Sequence, residues 1–299
     1  MHSGTQSRAA RRGFSVIEFI AVIAIIVFVI AMLLPAMQFA REAARRTQCQ
    51  NNLRQISVAM HNYAEQIEVF PPGVVNDQGP ILNEPMGYDA SWTVQLLAYL
   101  DRANLAALWD RDVGVYAPVN YQVFHQLLPT YVCPCNQGPV IRGIPGFQSS
   151  YAGCYNDTET PIDETTVGVL TLNRSMTYEM IEDGTTHTIM VGEVRLPDPK
   201  VHVDRMEAGR YGLLGWASGT RSTLRNVSRF NHDLTMADID NGDLTGPNGG
   251  FGSYHEEGAF FVFCDGSVRF VHDGIEPELL KEMANPADGQ LPPPNTRDP

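Results

Sequence analysis

Between Gly13 and Gly73 the sequence has no glycine, and Pro35 is the one proline before Pro71. Phe14 to about Phe70 therefore reads as one helix with a single site for a kink. No Gly-x-Ser-x-Gly elbow and no His-Glu-x-x-His pair occurs, so two sequence signatures of hydrolases are missing. None of the five cysteines belongs to a Cys-x-x-Cys pair, Cys133-Pro134-Cys135 being one residue too close. Neither a redox dithiol motif nor a zinc site is expected from that spacing. Basic residues are scarce beyond the first helix. Residues 1–46 carry six arginines against two acids, a charge of +4, and the remainder carries 15 basic and 32 acidic residues, or −17. A domain this acidic has no electrostatic footprint for nucleic acid; solubility or divalent-cation binding is a better use of the excess acid. No internal repeat is visible.

What is present begins with the helix. Phe14 to Leu34 is almost wholly apolar, with Glu18 its one ionisable residue. Its length matches the ~20 residues that cross a bilayer's ~30 Å of hydrocarbon, and the whole helix would run roughly 85 Å at 1.5 Å per residue. Arg8, Arg11 and Arg12 precede it with no acid among them, which keeps the N-terminus cytoplasmic and sends the rest outward. A removed secretory peptide would end in a small-residue cleavage site, whereas Pro35-Ala36-Met37-Gln38 leads into more helix. A retained anchor is expected. A carboxylate inside such a span is costly and marks a functional position with a partner.

Gly13-Phe14-Ser15-Val16-Ile17-Glu18 resembles the type IV prepilin signal: a basic leader, a glycine, an aromatic residue, then glutamate at the fifth position counted from that aromatic residue. The resemblance implies cleavage between Gly13 and Phe14 by a prepilin peptidase, followed by N-methylation of Phe14. It also implies that Glu18 pairs with the N-terminal amine of a neighbouring subunit during filament assembly.

Further along, Leu53, Ile56, Met60, Tyr63, Ile67 and Phe70 recur at helical spacing and form one apolar stripe. The stripe is expected to pack under the protein's own sheet, with Asn52, Gln55, Asn62 and Glu65 facing water and His61 partly packed beside it. Ser91 to Leu108 reads as a helix capped by Ser91, and Tyr121 to Leu128 as a shorter one before Pro129. Strand signals appear at Thr166–Leu170 and Thr186–Val194. Arg221 to Phe251 reads as a polar loop region. Two β-rich runs flank Asp265-Gly266 between Gly258 and Val271, a strong hairpin signal. A Cys133–Cys154 or a Cys135–Cys154 bridge is possible outside the cytoplasm, while Cys49 is expected to stay reduced or to face a neighbour.

Over nearly its full length the chain resembles a large group of prepilin-like proteins of unassigned function. The resemblance rests on the prepilin-type start, Asn51-Asn52-Leu53-Arg54-Gln55-Ile56, His61-Asn62-Tyr63, Phe70-Pro71-Pro72-Gly73, Asp183-Gly184-Thr185, Gly192-Glu193 and Phe251-Gly252-Ser253-Tyr254-His255. The group carries a C-terminal H-X9-DG motif, supplied here by His255 and Asp265-Gly266. Two departures stand out. Glu256-Glu257-Gly258 replaces a proline and glycine after the histidine, and Cys133-Pro134-Cys135 stands where the group tends to carry a single cysteine.

His255 and Asp265 are expected to be architectural, with a ligand or cation site formed by His255, Asp265 and Glu193 as the functional alternative. Asp238, Asp240 and Asp243 resemble a calcium loop in composition but fail the EF-hand register. The sequence thus predicts an α+β, pilin-like chain: leader 1–13, transmembrane helix 14–37, soluble half of the spine helix 38–70, exported domain 71–289 and a disordered tail 290–299. The expected function is a non-enzymatic pilin-like or pseudopilin-like subunit of a pilus or type II secretion-like filament, based in the inner membrane. Its partners would be the prepilin peptidase and other pilin-like subunits, with no cofactor, or at most calcium. The alternative is a membrane-tethered solute- or cation-binding module that uses the signal for export.

Overall fold

A computed structural model describes residues 16–136, 146–196, 213–228, 230 and 250–290. Helix α1 spans Val16–Ile67. Of the described residues, those up to Arg45 form one unit and those from Arg46 onward a second. In the first unit, α1 contains an 18-residue window of mean hydropathy 3.2 with none of its surface buried. That segment is long and apolar enough to cross a membrane.

In the second unit, α1 turns from exposed to packed. Cys49, Asn52, Leu53, Ile56, Ser57, Ala59, Met60 and Ala64 are buried, as expected for Leu53, Ile56 and Met60 of the apolar stripe, whereas Tyr63 is half-buried and Ile67 exposed. Two expectations need correction. Asn52 does not face water: it is buried and its amide donates to the Pro129 and Val132 carbonyls at 3.2 and 3.0 Å, so the side chain ties the helix to that loop and is satisfied by it. The helix also stops at Ile67, three residues before Phe70. Glu68 takes a left-handed φ of 68°, and Pro71 disfavours helical backbone at Phe70.

Strands β1 (Val74–Val75) and β2 (Ala90–Ser91) make a short antiparallel pair. Helix α2 (Trp92–Gln95) starts at Ser91, whose Oγ accepts from the Thr93 N–H as predicted. It does not continue to Leu108. The chain tightens into a 3-10 turn at Leu96–Tyr99, reverses at Asp101 (φ 55°) and resumes as α3, Ala103–Leu108. Leu96 and Leu97 are both buried, and the left-handed backbone at Asp101, a conformation incompatible with continuing a right-handed helix, separates this turn from α3. Helix α4 is limited to Tyr121–Phe124.

The main sheet contains β3 (Tyr151–Asn156), β4 (Ile189–Glu193), β5 (Leu224–Asn226), β6 (Gly258–Phe263) and β7 (Val268–His272), in the order β5-β3-β4-β6-β7. Every neighbouring pair is antiparallel except β3 and β5. The fold is therefore α+β with a mostly antiparallel sheet. Residues of β3, β4 and β6 are buried throughout, as in strands covered on both faces. Helix α1 covers one face: Ser57 Oγ donates to the Gly266 carbonyl at 3.0 Å, Tyr151 Oη to the Cys49 carbonyl at 3.2 Å, and the Arg46 guanidinium lies 4.2 Å from the centre of the Phe270 ring. Helix α5 (Pro277–Ala284) packs on β3 and β4.

Strand β5 lies inside the segment read as polar loop. Only three residues long, it carries Arg225 and Asn226, so its hydrophobic signal is too weak to read. The reverse holds for Thr166–Leu170, which is not a strand. It runs alongside β3 through single bonds, Gly168 N–H to the Tyr155 carbonyl and Leu170 N–H to the Cys154 carbonyl, both 3.0 Å, without a regular ladder.

The β6–β7 hairpin is built as predicted, with Gly258 opposite His272 and Val262 opposite Val268. Asp265 Oδ1 accepts from the N–H and hydroxyl of Ser267 at 2.9 and 2.7 Å, and Gly266 takes φ +87°. A β-carbon on Gly266 would sit 2.9 Å from His61 Nε2, so the turn needs glycine both for its dihedral and for its seat against α1.

Candidate functional site

The two parts of the H-X9-DG motif lie at opposite ends of β6. Asp265-Gly266 forms the hairpin turn over Ser57 and His61, where the Asp265 N–H donates to the Thr185 carbonyl at 2.9 Å and Arg269 pairs with its carboxylate at 3.2 Å. His255 precedes the strand's start. The six residues of β6 span roughly 20 Å at ~3.3 Å per residue. A joint site of His255, Asp265 and Glu193 is therefore ruled out, because a strand holds the histidine and the aspartate apart. His255 and Glu193 do meet.

Glu193 ends β4, buried, and its Oε2 accepts the Phe260 N–H of β6 at 2.8 Å while Oε1 lies 3.3 Å from His255 Nε2. His255 is buried too. Its N–H donates to Ser253 Oγ at 3.0 Å, and its ring meets Phe260 edge-on at 5.7 Å.

Beside this pair lies a group that local spacing does not reveal. Cys49 of α1 is disulfide-bonded to Cys133, which corrects the expectation that Cys49 stays reduced or faces a neighbour; neither of the two possible bridges to Cys154 is formed. The Sγ atoms of Cys49, Cys133 and Cys135 and one ring nitrogen of His255 all lie within 4.8 Å of one another. Cys135 is a thiol on a half-buried residue; the other three residues are buried. Asn136 holds the segment. Its N–H closes a turn to the Cys133 carbonyl at 2.9 Å, its side-chain amide donates to the Val194 carbonyl, and its Oδ1 accepts the Leu196 N–H at 2.9 Å. Through these bonds, Cys133-Pro134-Cys135 is fastened to the chain leaving β4 next to Glu193. Tyr151 closes the group from β3; burial, then the nearby Glu193, hold its phenol well above the usual range.

Three sulfurs and an imidazole are also the donors of a tetrahedral zinc site, but two of the sulfurs are consumed by the disulfide. The remaining thiols are of another kind. Cys154 and Cys264 are fully buried, and burial pushes Cys154 up to about 12 and Cys264 well above its ordinary value; such thiols are inert.

The other predicted residues fall elsewhere. Glu18 lies in the first turn of α1 on an exposed apolar segment. Gly13, Phe14, Asp238, Asp240 and Asp243 lie outside the described residues. His61 is a packing residue as expected: half-buried, its Nδ1 is 2.7 Å from Tyr178 Oη, and burial lowers its basicity against the opposing pull of Asp265 and Glu65.

A family model described as a protein of unknown function (DUF1559) matches residues 38–278. The chain belongs to the DUF1559 family. The match includes Cys49, Cys133, Cys135, Glu193, His255 and Asp265-Gly266, so the whole cluster and both halves of the motif belong to the DUF1559 region. Gly13, Phe14 and Glu18 precede it. No curated protein and no solved structure matches the chain.

Proposed function

We propose that this DUF1559 protein is a type IV pilin-like or pseudopilin-like structural subunit rather than an enzyme. It is processed between Gly13 and Phe14 by a prepilin peptidase, N-methylated on Phe14 and built into a pilus or type II secretion-like filament. The observation that carries this reading is the change of character along α1. Val16 to Phe39 exposes its large apolar side chains, with Phe19 59% and Phe28 60% accessible, while Cys49 to Ala64 packs one face into the soluble domain. Water is a poor environment for the first segment. Lipid supplies the cover before assembly, and neighbouring helices of the same kind supply it afterwards.

The basic flank at Arg8, Arg11 and Arg12 favours a cytoplasmic N-terminus and a single pass through the inner membrane. The acidic domain then lies in the periplasm or on the filament surface. The Cys49–Cys133 disulfide supports export, since such bonds persist in oxidising compartments. Glu18 is the residue assigned to recognise the N-terminal amine of the neighbouring subunit. The substitution Glu18→Ala tests this assignment: the variant should reach the membrane yet fail to enter filaments. Undiminished incorporation would remove the assembly role. A domain tethered only for export would be indifferent to the change.

A further inference from the structure

The sulfur cluster holds more chemistry than a structural crosslink needs. A staple requires two cysteines, and here a third, Cys135, lies within 4.8 Å of both bonded sulfurs and of an imidazole nitrogen. The geometry points to an intramolecular thiol–disulfide exchange site, in which Cys135 and Cys133 compete for Cys49 and His255 carries the proton between them.

The step balances without an external oxidant. His255 takes the proton of the Cys135 thiol, and the thiolate attacks Cys49 Sγ. The Cys49–Cys135 bond forms as the Cys49–Cys133 bond breaks, and the Cys133 thiolate leaves and recovers the proton from His255. Exchange requires a thiolate within reach of a disulfide sulfur, and a neighbouring histidine favours the thiolate. Glu193, 3.3 Å from His255 Nε2 and fixed by the Phe260 N–H, orients the ring and stabilises it while it holds the proton. Cys135 lies two residues beyond Cys133, so both disulfides close loops of nearly equal length and chain entropy hardly distinguishes them.

The two isomers differ in access. Cys133 is buried and Cys135 half-buried, so moving the bond to Cys135 brings the link between α1 and the domain within reach of an outside thiol. The co-reactant class is a small-molecule or protein thiol, which would attack the Cys135 sulfur and release Cys49. The exchange requires only the cluster itself and does not depend on filament assembly.

The experiment uses the full-length chain in detergent. Cys133→Ser removes the observed partner; non-reducing peptide mapping should then find a Cys49–Cys135 disulfide, and recovery of both cysteines as alkylated thiols from folded protein would overturn the proposal. A second comparison decides the matter if that variant does not fold. Reduction of the native disulfide by a small dithiol at pH 8 should be at least tenfold slower in Cys135→Ser than in the unaltered chain, and equal rates would overturn the role of Cys135. His255→Asn should slow reduction at pH 7 and lose most of that effect by pH 9, where the thiol ionises unaided. A pH-independent deficit would remove His255 from the proton transfer.

Discussion

Cys49, on α1, is bonded to Cys133, which lies 84 residues later in the chain. The bond closes a long loop that includes β1, β2 and helices α2 to α4, and it fastens the helix to the segment that Asn136 ties to the chain leaving β4. Replacing both cysteines by serine should lower the stability of the soluble part by about 2–5 kcal/mol. Urea unfolding of the two proteins measures it. A change below about 1 kcal/mol would mean that the unfolded chain gains nothing from losing the crosslink.

Glu193 joins β4 to β6 by accepting the Phe260 N–H and faces the His255 ring from the same carboxylate. Glu193→Ala leaves a buried N–H without an acceptor and should cost about 2–3 kcal/mol. Glu193→Gln retains an amide oxygen for that N–H and should cost less. Equal losses in the two variants would show that the side chain acts by volume alone.

Asp89 is buried with φ 38°, and burial raises its carboxyl from the ordinary 3.8 to about 7. The folded chain therefore keeps a proton that the unfolded chain has already released between pH ~4 and ~7. Stability should fall as pH rises through that window, by up to about 4 kcal/mol, and level off above it. Asp89→Asn, which tolerates the same backbone, should flatten this slope. An unchanged slope in thermal or urea unfolding would assign the pH dependence to other groups.

Gly266 combines a φ of +87° with a seat beside His61. Gly266→Ala should destabilise the hairpin by about 1–2 kcal/mol from the dihedral alone. Hydrogen exchange of the β6 and β7 amides locates the loss. Unaltered protection there would show that the turn relaxes without cost.

What the sequence made legible is the set of features written in local patterns. Apolar periodicity from Leu53 to Met60, Ser91 as a cap and Asp265-Gly266 as a turn each depend on neighbours a few residues away, and the structure has all three. The two-residue shift between Cys133 and Cys135 was visible, but its meaning was not. A sulfur cluster assembled from α1, a turn after Tyr131 and the entry to β6 has no local spacing to announce it. The same limit separates the two halves of the His255 and Asp265-Gly266 motif. Nine intervening residues suit a shared site on paper, yet most of them form an extended strand, which places the ends far apart. The burial of Asn52 is not legible, because a polar side chain on a helix is as able to donate to loop carbonyls as to meet water. Strand β5 is not legible, because two of its three residues are the polar Arg225 and Asn226, which a pattern of alternating hydrophobicity passes over.

Whether the N-terminal segment acts as a processed assembly helix is decided by the mass of the N-terminal peptide from protein made in its native host. The prediction is a chain that begins at Phe14 and carries one additional methyl group. A mature protein that retains Met1 or Gly13 would contradict it, leaving α1 as a membrane anchor and the acidic domain as the seat of whatever the protein does.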